Sequence, residues 1–253
     1  AVLYDNAALK AFIQTLPFEL TDGQKKVVNE ICFDLRAPYE MNRLLQGDVG
    51  SGKTIVATIA MVATALTGKQ AALMVPTEIL AEQHMLTIEK LIQGTPLKAV
   101  LLTGSMNRSQ KKRKELLTQI ESGEANLIIG THALFQQDVT FKDLAFVVID
   151  EQHRFGVQQR QALAGKGAGV NVLQMTATPI PRTLAITAFG EMDTSILSEI
   201  PRGRQPIKTS WVREQEMEEI FNFVERQIQE GRQAYMISPL IEESEHLDVQ
   251  NAE

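Results

Sequence analysis

The stretch LLQGDVGSGKTIVATIAMVATALTG, residues 44–68, decides the fold of this 253-residue chain. It starts with apolar residues, passes through three closely spaced glycines and ends in a long apolar segment. Its centre fits the pattern G-x-x-x-x-G-K-[ST], which a chain of this length shows by chance on the order of 1% of the time. The residues that fit are Gly47, Asp48, Val49, Gly50, Ser51, Gly52, Lys53 and Thr54. The pattern predicts a phosphate-binding loop between a strand and a buried helix.

The residue types of this phosphate loop (Gly47–Thr54) suit an anionic ligand. Glycines let backbone N–H groups turn toward phosphate oxygens where side chains would clash, and the following helix adds the positive end of its dipole. Lys53 supplies a charge to the β- and γ-phosphates, and the Thr54 hydroxyl ligates Mg²⁺. The alternative is a glycine-rich turn without a ligand, which would need neither of these two side chains. We therefore expect a nucleotide site.

Short segments rich in Val, Ile and Leu alternate with amphipathic stretches along the chain. Such segments, without strict alternation of polar and apolar residues, are typical of a parallel sheet that is buried on both faces. The predicted strands are Arg43–Gln46, Ala71–Val75, Lys98–Leu102, Asn126–Gly130, Leu144–Asp150 and Asn171–Met175. Predicted helices between them include Glu78–Ile92 and Ser109–Glu121. The sequence therefore predicts an α/β fold, with a mostly parallel sheet and helices on both faces.

A break in the pattern at Ser198–Thr209 contains prolines, glycine and arginines and is typical of a linker. We expect a helical lead-in over residues 1–20, a first domain over 21–200, and a linker with the start of a second domain over 201–253. That last part predicts a strand, a helix over Glu214–Glu230 and another strand. Because fewer than about 50 residues cannot close a further α/β sheet with its own core, we expect a piece of a longer protein.

Composition excludes few classes of protein. The chain is 44% hydrophobic and 22% charged, which is ordinary for a globular protein. It has no apolar run long enough to span a bilayer, and its N-terminus lacks the pattern of a signal peptide. A single cysteine, Cys32, excludes an internal disulfide and fits a reducing compartment such as the cytoplasm. The net charge of -6 argues mildly against a nucleic-acid partner, although a local basic face can coexist with an acidic remainder.

Two carboxylates, Asp150 and Glu151, end the apolar segment LAFVVIDE. In an open parallel sheet that end of the strand faces the ligand crevice, on the same side as the phosphate loop. Asp150 is then placed to hold Mg²⁺ through a water, and Glu151 to orient and deprotonate an attacking water. The alternative is a strand that ends in two solvated acids. Together with the phosphate loop, the pair favours nucleotide hydrolysis.

Three motifs resemble motifs I, II and III of the superfamily 2 helicases: Gly47–Thr54, DEQH at Asp150–His153 and TATPIPRT at Thr176–Thr183. The longer stretches DEQHRFGVQQR, MTATPIPRTLA, MVPTEILAEQH and IIGTHALFQ closely resemble the RecG family of bacterial branch-migrating DNA helicases. The resemblance covers essentially the whole chain. The transcription-repair coupling translocases are similar by motif, but Gln152 favours the RecG family.

The resemblance implies a RecA-like P-loop fold in which ATP and Mg²⁺ lie between two lobes. It also implies that Gln24 hydrogen-bonds the adenine and that Phe18 packs nearby. Thr21 and Gln24, ahead of an apolar-periodic helix, are also the pattern of a capping box, which would explain the same residues without a nucleotide.

The resemblance further assigns Thr176 and Thr178 to the coupling of the nucleotide site to DNA movement, with His153 in contact with that segment. A zinc site at His153 is not expected, because no second histidine or cysteine lies at ligand spacing. His84 is expected on the surface of a helix.

DNA is the implied partner, as forks and four-way junctions in recombination and repair. The residues that match the family's strand-contacting motifs are Pro76, Thr77, Gly104, Ser105, Thr131 and His132. Small hydroxyls, backbone N–H groups and helix N-termini bind phosphates without reading sequence, although such tripeptides also occur in ordinary turns. The basic run at Arg108–Glu115 is expected to be mostly a solvated helix face, with Lys111, Lys112 and Arg113 as candidates to flank the DNA.

Members of this family also have an N-terminal wedge domain and a second motor lobe with an arginine finger, which these residues do not supply. An arginine finger is worth about 10³–10⁵ in rate. We therefore expect the isolated chain to bind ATP–Mg²⁺ weakly, to hydrolyse ATP slowly and not to unwind DNA.

Other functions stay open at this point. One is a double-stranded DNA translocase of the transcription-repair coupling type. Another is a P-loop ATPase or kinase without a nucleic-acid partner, and a third is a non-catalytic binding module. The retained Lys53, Thr54, Asp150 and Glu151 argue against the last.

Overall fold

The computed structural model of the chain describes residues 1–105, 109–150, 162, 166, 169–178, 192–199, 205 and 207–237. The chain divides into two compact units, Ala1–Gly203 and Arg204–Glu253. The first unit holds a sheet covered by helices. Among the described residues of the second unit, the regular structure is one α-helix with a short 3₁₀ turn before it.

Among the described residues, the sheet of the first unit has seven strands, all paired in parallel. They are β1 (Asn42–Gly47), β2 (Gln70–Met74), β3 (Ala99–Leu102), β4 (Leu127–Gly130), β5 (Leu144–Asp150), β6 (Asn171–Thr176) and β7 (Asp193–Leu197). Their order across the sheet is β3-β4-β2-β5-β6-β1-β7. The predicted α/β fold is confirmed, and the six predicted strands agree with β1 to β6 within one residue at each end.

The seventh strand has no counterpart among the predicted strands, and its position explains why. β7 lies at the edge of the described sheet, beside β1. Asp193 and Ile196 are exposed, whereas Ser195 and Leu197 are buried. An edge strand that is open to solvent does not need the continuous apolar run that marks the inner strands, such as the fully buried β5.

Helices cover both faces of the sheet. In the described part of this unit they are α1 (Asn6–Gln14), α2 (Asp22–Arg36), α3 (Lys53–Ala65), α4 (Glu78–Leu91) and α5 (Gln110–Ser122), with a 3₁₀ turn at His132–Phe135. One apolar core packs the four helices α1, α2, α3 and α4 against one face of the sheet and includes Ile31, Ile59 and Ile88. A second core, with Ile120 and Val147, joins α5 to the other face. Among the described residues, no helix has both the length and the apolarity needed to cross a membrane.

The helix that follows the phosphate loop is buried almost throughout, as its apolar sequence predicts. Eleven of the thirteen residues of α3 are buried. Two of its threonines bond within the helix: the Thr58 hydroxyl donates to the Thr54 carbonyl at 2.8 Å and the Thr64 hydroxyl to the Ala60 carbonyl at 3.0 Å. Because α3 is packed on all sides, it fixes the position of the phosphate loop at its N-terminus.

A buried glutamine joins three elements on the side of the sheet away from the phosphate loop. Gln70, at the start of β2, donates from Nε2 to the carbonyls of Ile120 and Ala125 at 2.8 and 2.9 Å. Its Oε1 accepts from the Asp143 N–H at 3.0 Å. Each hydrogen bond that this amide makes therefore ties the start of β2 to the end of α5 or the start of β5.

The second unit differs from the sequence prediction. Its α-helix, α6 (Met217–Gln229), follows a 3₁₀ turn at Glu214–Glu216 and confirms the predicted helix. The predicted strands on either side are not formed at residues 207–213 or 232–237. A strand satisfies its backbone N–H and C=O groups only against a neighbouring strand, and the described residues of this unit offer none.

Candidate nucleotide-binding site

The phosphate loop has a backbone that only glycine adopts readily. The φ angles of Gly50 and Gly52 are +80° and +87°, in the left-handed region. A Cβ at Gly52 would lie 2.0 Å from the Nε2 of Gln24, and one at Gly47 would lie 2.5 Å from the Oγ of Ser51. The glycines of the motif are therefore required by backbone angle and by close approach.

Lys53 lies against the inside of the loop. Its Nζ donates to the carbonyls of Gly47 at 2.5 Å and Asp48 at 3.2 Å, and the residue is only 8% exposed. The hydroxyl of Ser51 is buried without a hydrogen-bond partner among the described residues. Within that part of the chain, no side chain caps the N-terminus of α3 either. An ammonium, a hydroxyl and a free helix N-terminus are the groups that a phosphate would satisfy, so the loop fits a nucleotide phosphate.

Asp150 lies close to this loop because of the register of the sheet. It pairs with Met175 in β6, and Met175 pairs with Leu45 in β1, two residues before the loop begins. Two strand spacings put the Cα atoms of Asp150 and Leu45 about 10 Å apart. The predicted metal-binding carboxylate is thus at the same edge of the sheet as the phosphate loop. Glu151, its predicted catalytic neighbour, lies outside the described residues.

The expectation that His84 is a surface residue of a helix is wrong. Its Nε2 lies 3.2 Å from the Oδ2 of Asp150, and the side chains of the two residues are 16% and 13% exposed. The sequence holds a signal for this, since His84 follows the spacing of the buried Ala81 and Ile88 along α4. Periodicity identifies a buried face, but it does not show that the face meets Asp150.

Gln24 forms the capping box that its spacing predicts. The Thr21 hydroxyl accepts from the Gln24 N–H at 3.2 Å, and Gln24 Oε1 accepts from the Thr21 N–H at 3.0 Å. Gln24 Nε2 also lies 3.5 Å from the Ser51 carbonyl in the phosphate loop. The structure therefore brings Gln24 to the loop while it caps α2, whereas Phe18 is 47% exposed in the segment before that helix.

Glu199, a carboxylate that the sequence analysis does not single out, lies at the N-terminus of α2. Glu199 Oε1 accepts from the Gly23 N–H at 3.0 Å. Hydrogen bonds from the Thr21 hydroxyl and the Gly23 N–H lower the pKa of the Glu199 carboxyl below its usual value. This contact joins the segment after β7 to the start of α2 across 176 residues of sequence, so no local pattern reveals it.

The predicted coupling segment begins at the end of β6. Thr176 pairs in register with Gln46, the residue before Gly47. The Thr178 N–H donates to the Thr176 hydroxyl oxygen at 3.1 Å, which forms a tight turn at the strand end. The threonines are thus beside the phosphate loop, whereas His153 lies outside the described residues.

The six predicted DNA-contacting residues follow β2, β3 and β4, so they share the carboxyl edge of the sheet with the phosphate loop. Pro76 and Thr77 are exposed, and the Thr77 hydroxyl accepts from the Leu80 N–H at 3.3 Å as the N-cap of α4. The Ser105 N–H donates to Glu78 Oε1 at 2.8 Å, which joins the first loop to the loop of Gly104 and Ser105. In the third loop, His132 is exposed but Thr131 is buried.

The basic run contains one residue with a structural role. Arg113 is buried and donates to Gln136 Oε1 at 3.0 Å and to Asp138 Oδ2 at 2.7 Å. The expectation that Arg113 flanks DNA is therefore wrong, because its guanidinium holds α5 to the segment after the 3₁₀ turn. Lys111 and Lys112 are exposed.

Comparison with known proteins agrees with this geometry. The family model for DEAD/DEAH box helicases matches residues 21–186. The ATP-dependent DNA helicase RecG of Bacillus subtilis (strain 168) is 56% identical over 98% of this chain, and that of Staphylococcus epidermidis (strain ATCC 12228) is 59% identical over 98%. The chain spans 36% of the length of each of these relatives.

A solved structure of RecG bound to a three-way DNA junction superposes with a TM-score of 0.80 and 40% sequence identity. The superposition covers 94% of this chain and 32% of that one. The resemblance to the RecG family and the RecA-like fold are confirmed by these matches. Since the helicase family model spans more than half of its residues, the chain belongs to the DEAD/DEAH box helicase family.

Proposed function

We propose that this chain is the ATP-binding motor lobe of a DNA helicase that remodels branched DNA, such as replication forks and four-way junctions, in recombination and repair. The observation that supports this most is the meeting of Lys53, the uncapped N-terminus of α3 and Asp150 at one edge of the sheet. The relatives named RecG, and the RecG structure with junction DNA, indicate the substrate class. In this proposal residues 21–200 form the first RecA-like domain, and residues 201–253 form the linker and the start of a second.

The nucleotide takes the place of the carbonyl partners of Lys53. The ammonium, now bonded to Gly47 and Asp48, turns to the β- and γ-phosphates, while the free N–H groups of α3 bind phosphate oxygens. Thr54 and Asp150 would hold the magnesium ion, Asp150 through a water. When bound, Mg²⁺ would offset the negative charge that develops on the phosphates. Glu151, next along the chain, orients and deprotonates the attacking water.

Adenine recognition is assigned to Gln24, with Phe18 beside it. Gln24 already lies against the phosphate loop through its Nε2. Its Oε1 is engaged in the cap of α2, so a base that binds Gln24 competes with, or shares, the bond to the Thr21 N–H. Nucleotide binding is in this way linked to the start of α2.

The DNA strand is assigned to the loops after β2, β3 and β4, where Thr77, Ser105 and His132 are exposed. Thr176 and Thr178, at the end of β6, transmit the state of the nucleotide, together with His153. The relatives are longer than this chain, and we infer that the wedge domain and the second lobe, with its arginine finger, act in cis from residues outside it. We infer a cytoplasmic protein, which its single cysteine fits.

A chimaera tests this function directly. Residues 1–253 would replace the corresponding third of the Bacillus subtilis RecG protein. ATP hydrolysis would be measured with and without a three-way DNA junction, and unwinding of that junction would be measured as well. We expect the chimaera to hydrolyse ATP, to be stimulated by the junction and to unwind it. Lys53→Ala in the same chimaera should abolish hydrolysis while DNA binding is kept.

The isolated chain is the second arm of this experiment. It should hydrolyse ATP slowly, without stimulation by the junction, because an arginine finger contributes about 10³–10⁵ in rate. A folded chimaera that binds junction DNA but hydrolyses no ATP would contradict the proposed function. Sustained junction-stimulated hydrolysis by the isolated chain would contradict the dependence on a second lobe.

A further inference from the structure

The carboxyl edge of the sheet is divided between the two proposed ligands. The loops assigned to DNA follow β3, β4 and β2, which are adjacent. The residues assigned to the nucleotide lie at the ends of β5 and β1, and the coupling threonines lie at the end of β6 between them. The boundary lies between β2 and β5. At this boundary α4, which begins directly after β2, places His84 on Asp150 at the end of β5.

We propose that His84 is a positioning residue, which orients the Asp150 carboxylate for the magnesium–nucleotide complex. It does so from α4, the helix that begins on the DNA side of this edge of the sheet. This inference rests on the proposed function, because Asp150 matters here as a metal-binding residue. The bond is specific in its direction: a carboxylate only accepts, so His84 Nε2 carries the hydrogen and Asp150 Oδ2 receives it.

The contact between His84 and Asp150 restricts the Asp150 carboxylate to one orientation. Both side chains are largely buried, at 16% and 13% exposure, so little water competes for the hydrogen bond. The bond engages one oxygen of the carboxylate and thereby restricts rotation of the Asp150 side chain. Residues that orient a ligand of a metal in this way commonly affect metal affinity as strongly as some ligands do.

The helix that bears His84 is itself fixed at its start. The Thr77 hydroxyl caps α4, and Glu78 in its first turn accepts from the Ser105 N–H at 2.8 Å. Buried Ala81 and Ile88, on the same face as His84, pack α4 into the core. A side chain on a helix held in this way has a defined position, which is what a positioning role requires.

Nucleotide affinity with and without magnesium separates positioning from simple packing. ADP binding to residues 1–253 would be measured by calorimetry in Mg²⁺ and again in EDTA, for the wild type, His84→Ala, His84→Gln and Gln83→Ala. We expect His84→Ala to weaken ADP binding in Mg²⁺ by roughly 10- to 100-fold and to leave the EDTA affinity within about twofold. His84→Gln should recover part of the loss, since its amide N–H can still donate. Gln83→Ala, an exposed neighbour on α4, should match the wild type in both buffers.

A double-mutant cycle shows whether His84 acts through Asp150. Adding His84→Ala to Asp150→Asn should produce no further loss of ADP affinity in Mg²⁺, because the group that His84 orients is already neutral. Additive losses would overturn the proposal, as would equal losses of affinity in Mg²⁺ and EDTA or wild-type affinity in His84→Ala. If the wild type binds ADP in neither buffer, the nucleotide site proposed for this lobe is contradicted and the inference fails with it. If the wild type binds ADP and His84→Ala binds it with the same affinity, the inference fails while the proposed function stands.

Discussion

Glycine at position 52 is required by two independent constraints. Its φ of +87° lies in the left-handed region, and a Cβ there would lie 2.0 Å from Gln24 Nε2. Gln24 cannot move away freely, because its Oε1 completes the cap of α2. The residue therefore connects the phosphate loop to the start of a neighbouring helix.

Gly52→Ala should destabilise the protein more than Gly68→Ala. Gly68 has a φ of +85°, and no atom of the described residues lies within 4 Å of the place that an alanine methyl group would take. That substitution therefore adds backbone strain alone, about 1–2 kcal/mol. Gly52→Ala adds the same strain and displaces Gln24, which costs about 1 kcal/mol more through the lost cap. Unfolding in urea measures both losses, and equal losses would show that Gln24 moves without cost.

Glu199 should contribute stability that depends on pH. Hydrogen bonds lower the pKa of its carboxyl in the folded chain below the usual 4.5, so folding is favoured by its ionised form. That contribution is fully present above pH 4.5 and is lost as the pH falls through the lower, folded-state pKa. Melting temperatures from about pH 7 to about pH 3 should show Glu199→Gln less stable than the wild type at neutral pH, with the difference shrinking in acid. A difference that stays constant with pH would contradict the role of this carboxylate.

His84 and Glu199 mark the limit of sequence reasoning at this scale. The phosphate loop and Asp150 could be predicted because each is encoded in a few consecutive residues with a chemical signature. The contact of His84 with Asp150 spans 66 residues and that of Glu199 with Gly23 spans 176. Such pairs are created by the packing of elements, and a single sequence has no pattern for them.

At the scale of the elements, burial decided what could be predicted. Inner strands such as β5 are apolar throughout because helices cover both faces, and the sequence shows this directly. The edge strand β7 mixes exposed and buried residues and was missed. The strands expected on either side of α6 rest on the pattern of a β-α-β unit, yet a strand also needs a partner in space.

Gln70 should be important for the packing of three elements although it bears no charge and touches no site residue. Gln70→Leu would remove the Gln70 amide from the Ala125 carbonyl and the Asp143 N–H, and would leave the Ile120 carbonyl with the Gly123 N–H alone. A buried polar group without a partner costs about 1–3 kcal/mol, so we expect a loss of at least about 2 kcal/mol. The exposed Gln83→Leu on α4 is the matched control and should change the free energy of unfolding by no more than about 0.5 kcal/mol. Comparable values for the two variants in urea unfolding would contradict this role.

At the scale of the whole molecule, the parallel sheet explains why scattered motifs meet. The phosphate loop, Asp150 and Thr176 follow strands that are far apart in sequence, and parallel pairing brings the ends of those strands to one edge. The loops assigned to DNA share that edge. Few side chains therefore separate the proposed nucleotide site from the loops assigned to DNA, and His84 of α4 reaches Asp150 at the end of β5.

Calorimetry of ATP–Mg²⁺ binding to residues 1–253 tests the central claim, that the phosphate loop is a working nucleotide site. The account predicts that the wild type binds, that Lys53→Ala shows no measurable binding, and that Lys69→Ala, which alters a lysine paired with Asp143 away from the loop, binds like the wild type. Equal affinity of Lys53→Ala and the wild type would contradict the claim. So would a folded wild-type chain that binds no nucleotide.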